Sequence, residues 1–374
     1  MENLLTQISL LKEIELDFIG KFIKWMAQAF GSIGVAVIMF TLIIKLATAP
    51  LDIFSKISMK KNSLKMEKLK PQLEKLKKQY ANNPTLYQQK MSALYKKEGY
   101  SMVGACLPTI VTLVVFIMVF SSFRTYTAHQ NVRVYNEMAK AYNAEYTAVY
   151  DATYSQAEYD LKGDSTGTQT QAQAEYLLQV KATADDKAGY ASKKAYEKYN
   201  EGFLWIKNIF IADSYFEPSV PKSANGYEEL TMTSKGCGCN SKKLNIDSAE
   251  YKRLVSKIDT NEGNGYFILI ALSIGSTILS QFIMNKTQKA QMELQGQSAG
   301  SQKMMMFILP IMIGIFAFFY SSAFSIYMIS NTVFGILTTY IVNLVVSKKF
   351  EKAEQEIERS KYERKTYNGQ NNKK

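Results

Sequence analysis

Residues 33–51, IGVAVIMFTLIIKLATAPL, decide the fold. At ~1.5 Å per helical residue this run is long enough to span the roughly 30 Å hydrocarbon core of a bilayer. Its one charge is Lys45, about two-thirds of the way along. A lysine in such a run costs about 2.5–3.5 kcal/mol on insertion scales. It therefore either snorkels to the nearer interface or faces a polar cavity or a partner.

Four further apolar runs reach membrane length, at 102–123, 266–285, 304–320 and 324–346. The last two are separated only by Ser321, Ser322 and Ala323, which predicts a tight hairpin. Five spans put the termini on opposite faces, and charge decides which is which. Residues 51–100 carry 12 lysines against Asp52, Glu67, Glu74 and Glu98, and the tail from Lys348 carries nine basic residues against five acids. The stretch 125–264 has 16 basic and 19 acidic residues, and the first 31 residues sum to −1. Short loops rich in Lys and Arg stay in the cytoplasm, so the N-terminus is expected outside and the C-terminus inside. The net charge of +12 is then a consequence of topology and does not imply binding to free DNA.

The expected fold class is an all-α polytopic membrane protein. A five-span helical bundle carries a cytoplasmic helical hairpin and a large extracytoplasmic helical insert. The boundaries expected are an outer tail with an interfacial amphipathic helix (1–31), span 1 (32–51), the basic hairpin (52–100) and span 2 (102–123). The outer insert (125–264), span 3 (266–285), a cytoplasmic linker (286–303), span 4 (304–320), span 5 (324–346) and a basic cytoplasmic tail (347–374) follow. No signal peptide of the usual form precedes span 1, because a basic n-region and a small-residue cleavage site are both missing. Phe18, Phe22, Trp25, Met26 and Ala29 fall at helical spacing opposite Lys21 and Lys24, the pattern of a helix lying in the interface.

In the hairpin, Met59, Met66, Leu69, Leu73, Leu76 and Tyr80 recur at 3-4 spacing, with Asn62 in one slot, as in a coiled-coil seam. Pro71 is expected to kink that helix or start a new one. Asn83-Pro84 reads as an N-cap with proline at the first helical position, followed by a face of Tyr87, Met91 and Leu94 and a stop near Gly99. In the insert, Tyr135, Tyr142, Tyr146, Tyr150 and Tyr154 share one helix face. A turn at 163–167 leads to a second helix over 169–200 carrying Tyr176, Tyr190, Tyr196 and Tyr199, and such a tyrosine stripe reads as packing. Residues 203–206 and 209–211 (FLWI and IFI) read as a return to the interface.

Cys237 and Cys239 flank one glycine, too close for an unstrained disulfide and with no histidine nearby to complete a metal site. The single histidine, His129, supports no catalytic constellation. No catalytic residue, cofactor or metal is assigned, and the chain is not expected to be an enzyme.

The fragments TLIIKLATAPL (41–51), LKPQLEKLKKQY (69–80), LYKKEGYSMVGACLP (94–108) and MMMFILPIMIGIFAFFYSSAFSIYMISNTVFGIL (304–337) resemble the YidC/Oxa membrane protein insertases. Their order and spacing carry the likeness over roughly 230 residues, including Pro310, Tyr327 and Asn331. The resemblance implies a five-helix bundle around a polar groove that is closed to the outside and open to the cytoplasm and to lipid. One positive residue in the first core span pairs transiently with acidic residues of the incoming substrate, and its position here is Lys45. The family usually has arginine there, and lysine lacks the bidentate fork. Thr112 and Val114 also depart from the glutamine and proline often found at their places, and the 125–264 insert is far longer than the usual loop.

Polar residues threaded through the spans agree with a groove: Thr41, Thr109, Thr112, Ser273, Ser276, Thr277, Ser280, Gln281, Ser325, Ser330, Asn331 and Thr332. Ser and Thr in spans also bond to their own helix or to neighbouring helices. The groove residues expected are Lys45 as the positive charge, lined by Thr41, Thr112, Gln281, Tyr327 and Asn331. The function expected is insertion and folding of integral membrane proteins in the bacterial plasma membrane, with or without the general secretion channel. The partners expected are nascent membrane proteins, a ribosome held by the basic tail and hairpin, the secretion channel and anionic lipids. The alternatives are a small-solute transporter or channel with a cation-lined cavity, and a scaffold acting through the outer insert. Against the transporter stands the absence of an internal repeat and of Gly/Pro-broken span pairs.

Overall fold

The computed structural model describes residues 7–97, 102–164, 169–234, 241–242, 244–294, 308, 311, 315 and 318–371. Among these the regular structure is helical apart from one two-residue antiparallel ladder, in which Thr233 pairs with Lys242 and Ser234 with Ser241. Cys237, Cys239, Gly99 and most of the expected fourth span lie outside the described residues. The chain divides into two compact units: Met1–Val37, Met118–Ile270 and Ala317–Ser325 in one, and Ile38–Ile117, Ala271–Phe316 and Ile326–Lys374 in the other.

The second unit is built from long helices. α2 (Ile33–Gln79) runs 47 residues through both Pro50 and Pro71 without ending, so no new helix starts at Pro71. α3 (Pro84–Lys97) starts as expected, with the Asn83 side chain accepting the Leu86 N–H at 3.1 Å. Leu69 and Leu73 of α2 are buried with Tyr95 of α3, and Met91 and Leu94 pack beside them. The two helices thus meet along the expected seam, with Tyr95 as an unforeseen member. α4 (Met102–Thr153), α9 (Ile268–Leu294) and α10 (Ser322–Asn371) contribute their remaining lengths. Among the described residues two helical stretches are long and apolar enough to cross a bilayer, Ile33–Ser58 with mean hydropathy 2.0 and Ser322–Lys352 with 1.6, and Ile268–Ile283 is a shorter apolar stretch.

This unit has its apolar residues outward. Leu46 is 66% exposed, Phe54 61%, Phe282 63% and Tyr340 64%, whereas Thr41, Ser273 and Thr277 are buried. A water-soluble protein rarely exposes so large an apolar surface. Lipid as the solvent accounts for it, since hydrocarbon accepts the leucines and phenylalanines and leaves polar groups to face one another.

The first unit is a tyrosine-cored helical domain made by α4 beyond residue 118, α5 (Gln156–Leu161), α6 (Gln171–Tyr199), α7 (Ala224–Leu230) and α8 (Ser248–Leu254). Tyr142, Tyr146, Tyr150 and Tyr154 stack successively at 6.1, 6.1 and 5.6 Å along α4, as one helix face allows. Their neighbours supply carbonyls for the hydroxyls: Tyr227 donates to Asn131 O at 2.9 Å, Tyr251 to Pro221 O at 2.6 Å and Tyr196 to Ser219 O at 3.0 Å. Burial pushes the Tyr196 phenol up to about 12. The stripe is packing, as expected. In the 203–211 segment Ile206, Ile209, Phe210 and Ile211 are buried and Leu204 is left outside.

Residues 7–17 are extended and held against α4 by a polar ladder that periodicity alone did not reveal. His129 Nδ1 donates to Ile14 O at 2.7 Å, and His129 is held neutral chiefly by burial. Asn136 accepts from Leu11 N at 2.7 Å and donates to Leu11 O at 2.8 Å, and Asn143 does the same for Ile8 at 2.8 Å in both directions. Seven helical residues rise ~10.5 Å and three extended residues advance ~10 Å, so rungs at i, i+7 and i+14 meet every third tail residue. Asp17 then caps α1 (Phe18–Phe30), accepting the Gly20 N–H at 2.7 Å, while its other oxygen accepts from Ser122 of α4.

A second polar lock starts α9. The buried Asp213 carboxylate accepts the N–H groups of Tyr266, Phe267 and Leu269 at 2.7, 3.1 and 2.6 Å, holding Phe267 at a positive φ of 63°. Gly265 makes the approach possible, because a Cβ there would lie 1.9 Å from Asp213 Oδ1. The tail ladder gives a direct test. Asn136→Ala and Asn143→Ala each leave a backbone N–H and C=O without a partner, at about 1–3 kcal/mol per buried group. Each should speed limited proteolysis within residues 7–17, while Asn225→Ala, on an exposed position of α7, should not.

Candidate functional site

Lys45 stands on the half of α2 that lies in the second unit, with its side chain half-buried. Its ammonium reaches the backbone of α10: a Cβ built on Gly335 would lie 3.7 Å from Lys45 Nζ, the nearest atom to it. Tyr327, Asn331 and Gly335 follow at intervals of four on α10, which places them one above another on the face that meets Lys45. Tyr327 is buried and Asn331 half-buried. The structure therefore brings Lys45 together with the α10 face that carries Tyr327 and Asn331.

Along α2, Thr41 lies one turn before Lys45 and is fully buried, and Thr48 Oγ1 donates back to Lys45 O at 3.3 Å. Asp52 and Lys56 continue the same face at i+7 and i+11, and the Asp52 charge acts on both lysines. The face is thus a line of two cations around one anion, with Lys45 the deeper of the cations in the apolar run.

On α9, Ser273, Thr277 and Gln281 fall at intervals of four, and the first two are buried. Several hydroxyls threaded through the spans bond to their own helices: Thr277 Oγ1 to Ser273 O at 2.7 Å, Ser276 Oγ to Ser273 O at 3.1 Å and Thr332 Oγ1 to Met328 O at 2.9 Å. Such bonds satisfy a hydroxyl without water, so these residues do not by themselves call for a hydrated cavity. The amides of Gln281 and Asn331 are different. Among the described residues neither forms a hydrogen bond, and no hydrogen bond links Gln281 to Lys45. The Thr112 side chain lies outside the described residues.

Two members of this face were not singled out from the sequence. Gly335 leaves the space into which the ammonium reaches, but a lone glycine in an apolar helix reads only as tolerated packing. Asp52 was counted with the basic hairpin, although its spacing of seven from Lys45 was the available signal. What the arrangement can do is hold the Lys45 cation in a largely apolar unit, against the helix face that carries Asn331, an amide with unfilled hydrogen-bonding capacity. Such a site attracts a transient anion, and no bond need be made or broken for it to act.

The family described as 60Kd inner membrane protein matches residues 25–349. A protein named Membrane protein insertase YidC from Chloroherpeton thalassium is 40% identical over 94 residues, which is 25% of this chain and 15% of that protein. Proteins of the same name from Chlorobaculum tepidum and Chlorobium limicola are 35% identical over 102 residues and 36% over 101, each covering 27% of this chain and 17% of the relative. The matched segment thus spans about a sixth of the length of these relatives.

The site geometry predicts which positions meet water. A thiol reacts as the thiolate, which apolar surroundings suppress. In native membranes, cysteines introduced at Asn331 and Gly335 should react with a water-soluble thiol reagent at least about tenfold faster than cysteines at Leu337 and Ile341, on the exposed apolar face of α10. Equal rates at the four positions would remove the polar face.

Proposed function

Because the chain belongs to the 60Kd inner membrane protein family, the YidC/Oxa insertases, we propose that it inserts and helps fold integral membrane proteins in the bacterial plasma membrane. The observation that carries this reading is the placement of Lys45 against the Tyr327–Asn331–Gly335 face of α10, inside a unit whose exterior is apolar.

In the proposed topology, spans at 32–51, 102–123, 266–285, 304–320 and 324–346 enclose a groove open to the cytoplasm. Lys45, Thr41, Thr112, Gln281, Tyr327 and Asn331 line it. The N-terminal tail and the 125–264 insert lie outside, and the hairpin at 52–100, the linker at 286–303 and the tail at 347–374 lie inside. The excess of lysine and arginine in these short loops supports that orientation.

The mechanism follows from charge and solvation. A polar groove shortens the hydrocarbon barrier that a short hydrophilic tail must cross. Lys45 offsets part of the cost of drawing an acidic tail into that groove, and Asp52 keeps the resting charge from being excessive. The membrane potential adds about 2.3 kcal/mol for each negative charge moved outward per 100 mV. The substrate's hydrophobic span then leaves for lipid, and its burial drives the process to completion. The nascent chain is the substrate, and no hydrolysis is required. The basic hairpin and tail suit the phosphate-rich surface of a ribosome and the headgroups of anionic lipids. Nascent chains delivered by the secretion channel meet the same groove.

Replacing Lys45 separates this mechanism from snorkelling. Lys45→Arg should preserve insertion, since the groove needs a cation. Lys45→Ala should slow insertion of substrates with acidic translocated tails by about tenfold, ~1.4 kcal/mol, and Lys45→Glu should slow it further. Substrates with uncharged tails should change little. Equal insertion of acidic-tailed substrates by Lys45→Ala and wild type, at matched protein levels, would show that Lys45 only snorkels.

A further inference from the structure

The first unit carries a second site, distinct from the Lys45 face and lined by aromatic rings and one pair of opposite charges. Phe120, Tyr320 and Phe324 meet edge to face or tilted at 4.8, 5.1 and 5.8 Å between centroids. With Phe123, Phe210 and Phe319 they line a cavity of about 360 Å³. Arg124 and Glu229 line the same cavity, together with the hydroxyls of Thr127 and Ser321, which stand 3.5 Å apart. Among the described residues neither Arg124 nor Glu229 has an ion-pair or side-chain hydrogen-bond partner.

An arginine without a partner beside six aromatic rings is an unmet demand for an anion. Glu229, exposed to solvent on the wall of the same cavity, can pair with a cation. A ligand that satisfies both carries a negative and a positive group on one small frame, with apolar substance for the rings. The volume, at the lower end for small-molecule sites, suits a headgroup with its glycerol.

The surroundings indicate where such a molecule comes from. The same unit exposes a row of large aromatic residues, with Phe216 79% and Phe319 74% exposed and Trp25, Tyr215 and Tyr266 more than half exposed. Phe216, Phe267, Phe318 and Phe319 follow one another at 5.7, 6.1 and 5.3 Å. Aromatic side chains gather at the level of lipid headgroups. Phe319 belongs both to this band and to the cavity wall, so the cavity sits at headgroup depth.

We propose that this cavity binds one phospholipid whose headgroup carries a phosphate and a primary ammonium, as in phosphatidylethanolamine. Arg124 and the Thr127 and Ser321 hydroxyls take the phosphate, Glu229 takes the ammonium, and the rings take the upper acyl chains. Placing the site in the outer leaflet rests on the topology proposed above, but the lipid selectivity does not.

The test is lipid retention by the purified full-length protein, read by native mass spectrometry. The probes are phosphatidylethanolamine and phosphatidylglycerol with identical acyl chains. Wild type should retain the ethanolamine lipid about tenfold over the glycerol lipid, as expected for one charge-assisted contact. Glu229→Gln should abolish that preference, since only the ethanolamine lipid has an ammonium. Arg124→Gln should weaken both lipids about tenfold, and Arg124→Lys should restore most of the loss. Equal retention of both lipids by wild type, or an unchanged preference in Glu229→Gln, would overturn the proposal. A cysteine at Thr127 tests the leaflet separately. Labelling by an impermeant reagent from outside intact cells supports the outer leaflet, and labelling only from the cytoplasmic side overturns that placement.

Discussion

A lysine ammonium cannot rest in hydrocarbon. The placement of Lys45 on an otherwise apolar run of α2 constrains what surrounds it. The ammonium must have polar neighbours, and the unit supplies them by turning its polar face inward and its leucines and phenylalanines outward. Gly335 leaves room for the ammonium on α10, Asn331 offers an unfilled amide one turn away, and Asp52 moderates the charge from its own helix. Removing any of these changes the solvation of a cation already near the limit of what a span tolerates.

The tyrosine-cored unit solves a different problem by different means. Its core packs a row of stacked phenols, with further buried tyrosines, among aliphatic side chains such as Ile8, Leu11, Met138 and Leu254. Phenols fill volume as phenylalanine does while keeping a polar end, and the hydroxyls of Tyr196, Tyr227 and Tyr251 tie the core to backbone carbonyls. The same economy appears in the tail, where three polar side chains of α4 hold residues 8, 11 and 14 through backbone atoms. Side chains that bind backbone fix the path of a segment whatever its sequence.

Much of this was legible in the sequence. The apolar runs, the tyrosine face and the Asn83-Pro84 helix start depend on local composition and period, which a single chain displays. Lys45 stood out because a charge in an apolar run is costly in itself. What was hidden depends on contacts between distant residues. Gly335 acquires meaning only when Lys45 reaches it. His129, Asn136 and Asn143 read as ordinary helix polars until the tail lies against them, and Asp213 and Gly265 meet at a helix start only across some fifty residues that include α7 and α8. Pro71 starts no new helix, because a helix can accommodate a missing N–H without ending. The span hydroxyls allowed either reading, and Thr277 and Thr332 find acceptors on their own helices.

The central claim is that an acidic substrate segment passes along the α10 face beside Lys45. Disulfide capture on ribosome-arrested nascent chains tests it most directly. One cysteine is placed at Asn331 with Lys45 retained, and the other beside the first acidic residue of a membrane protein's translocated tail. The account predicts a crosslink at Asn331 at early arrest lengths, before the hydrophobic span emerges, and none from Leu337 on the outward face. Capture at Leu337 without capture at Asn331 would contradict it.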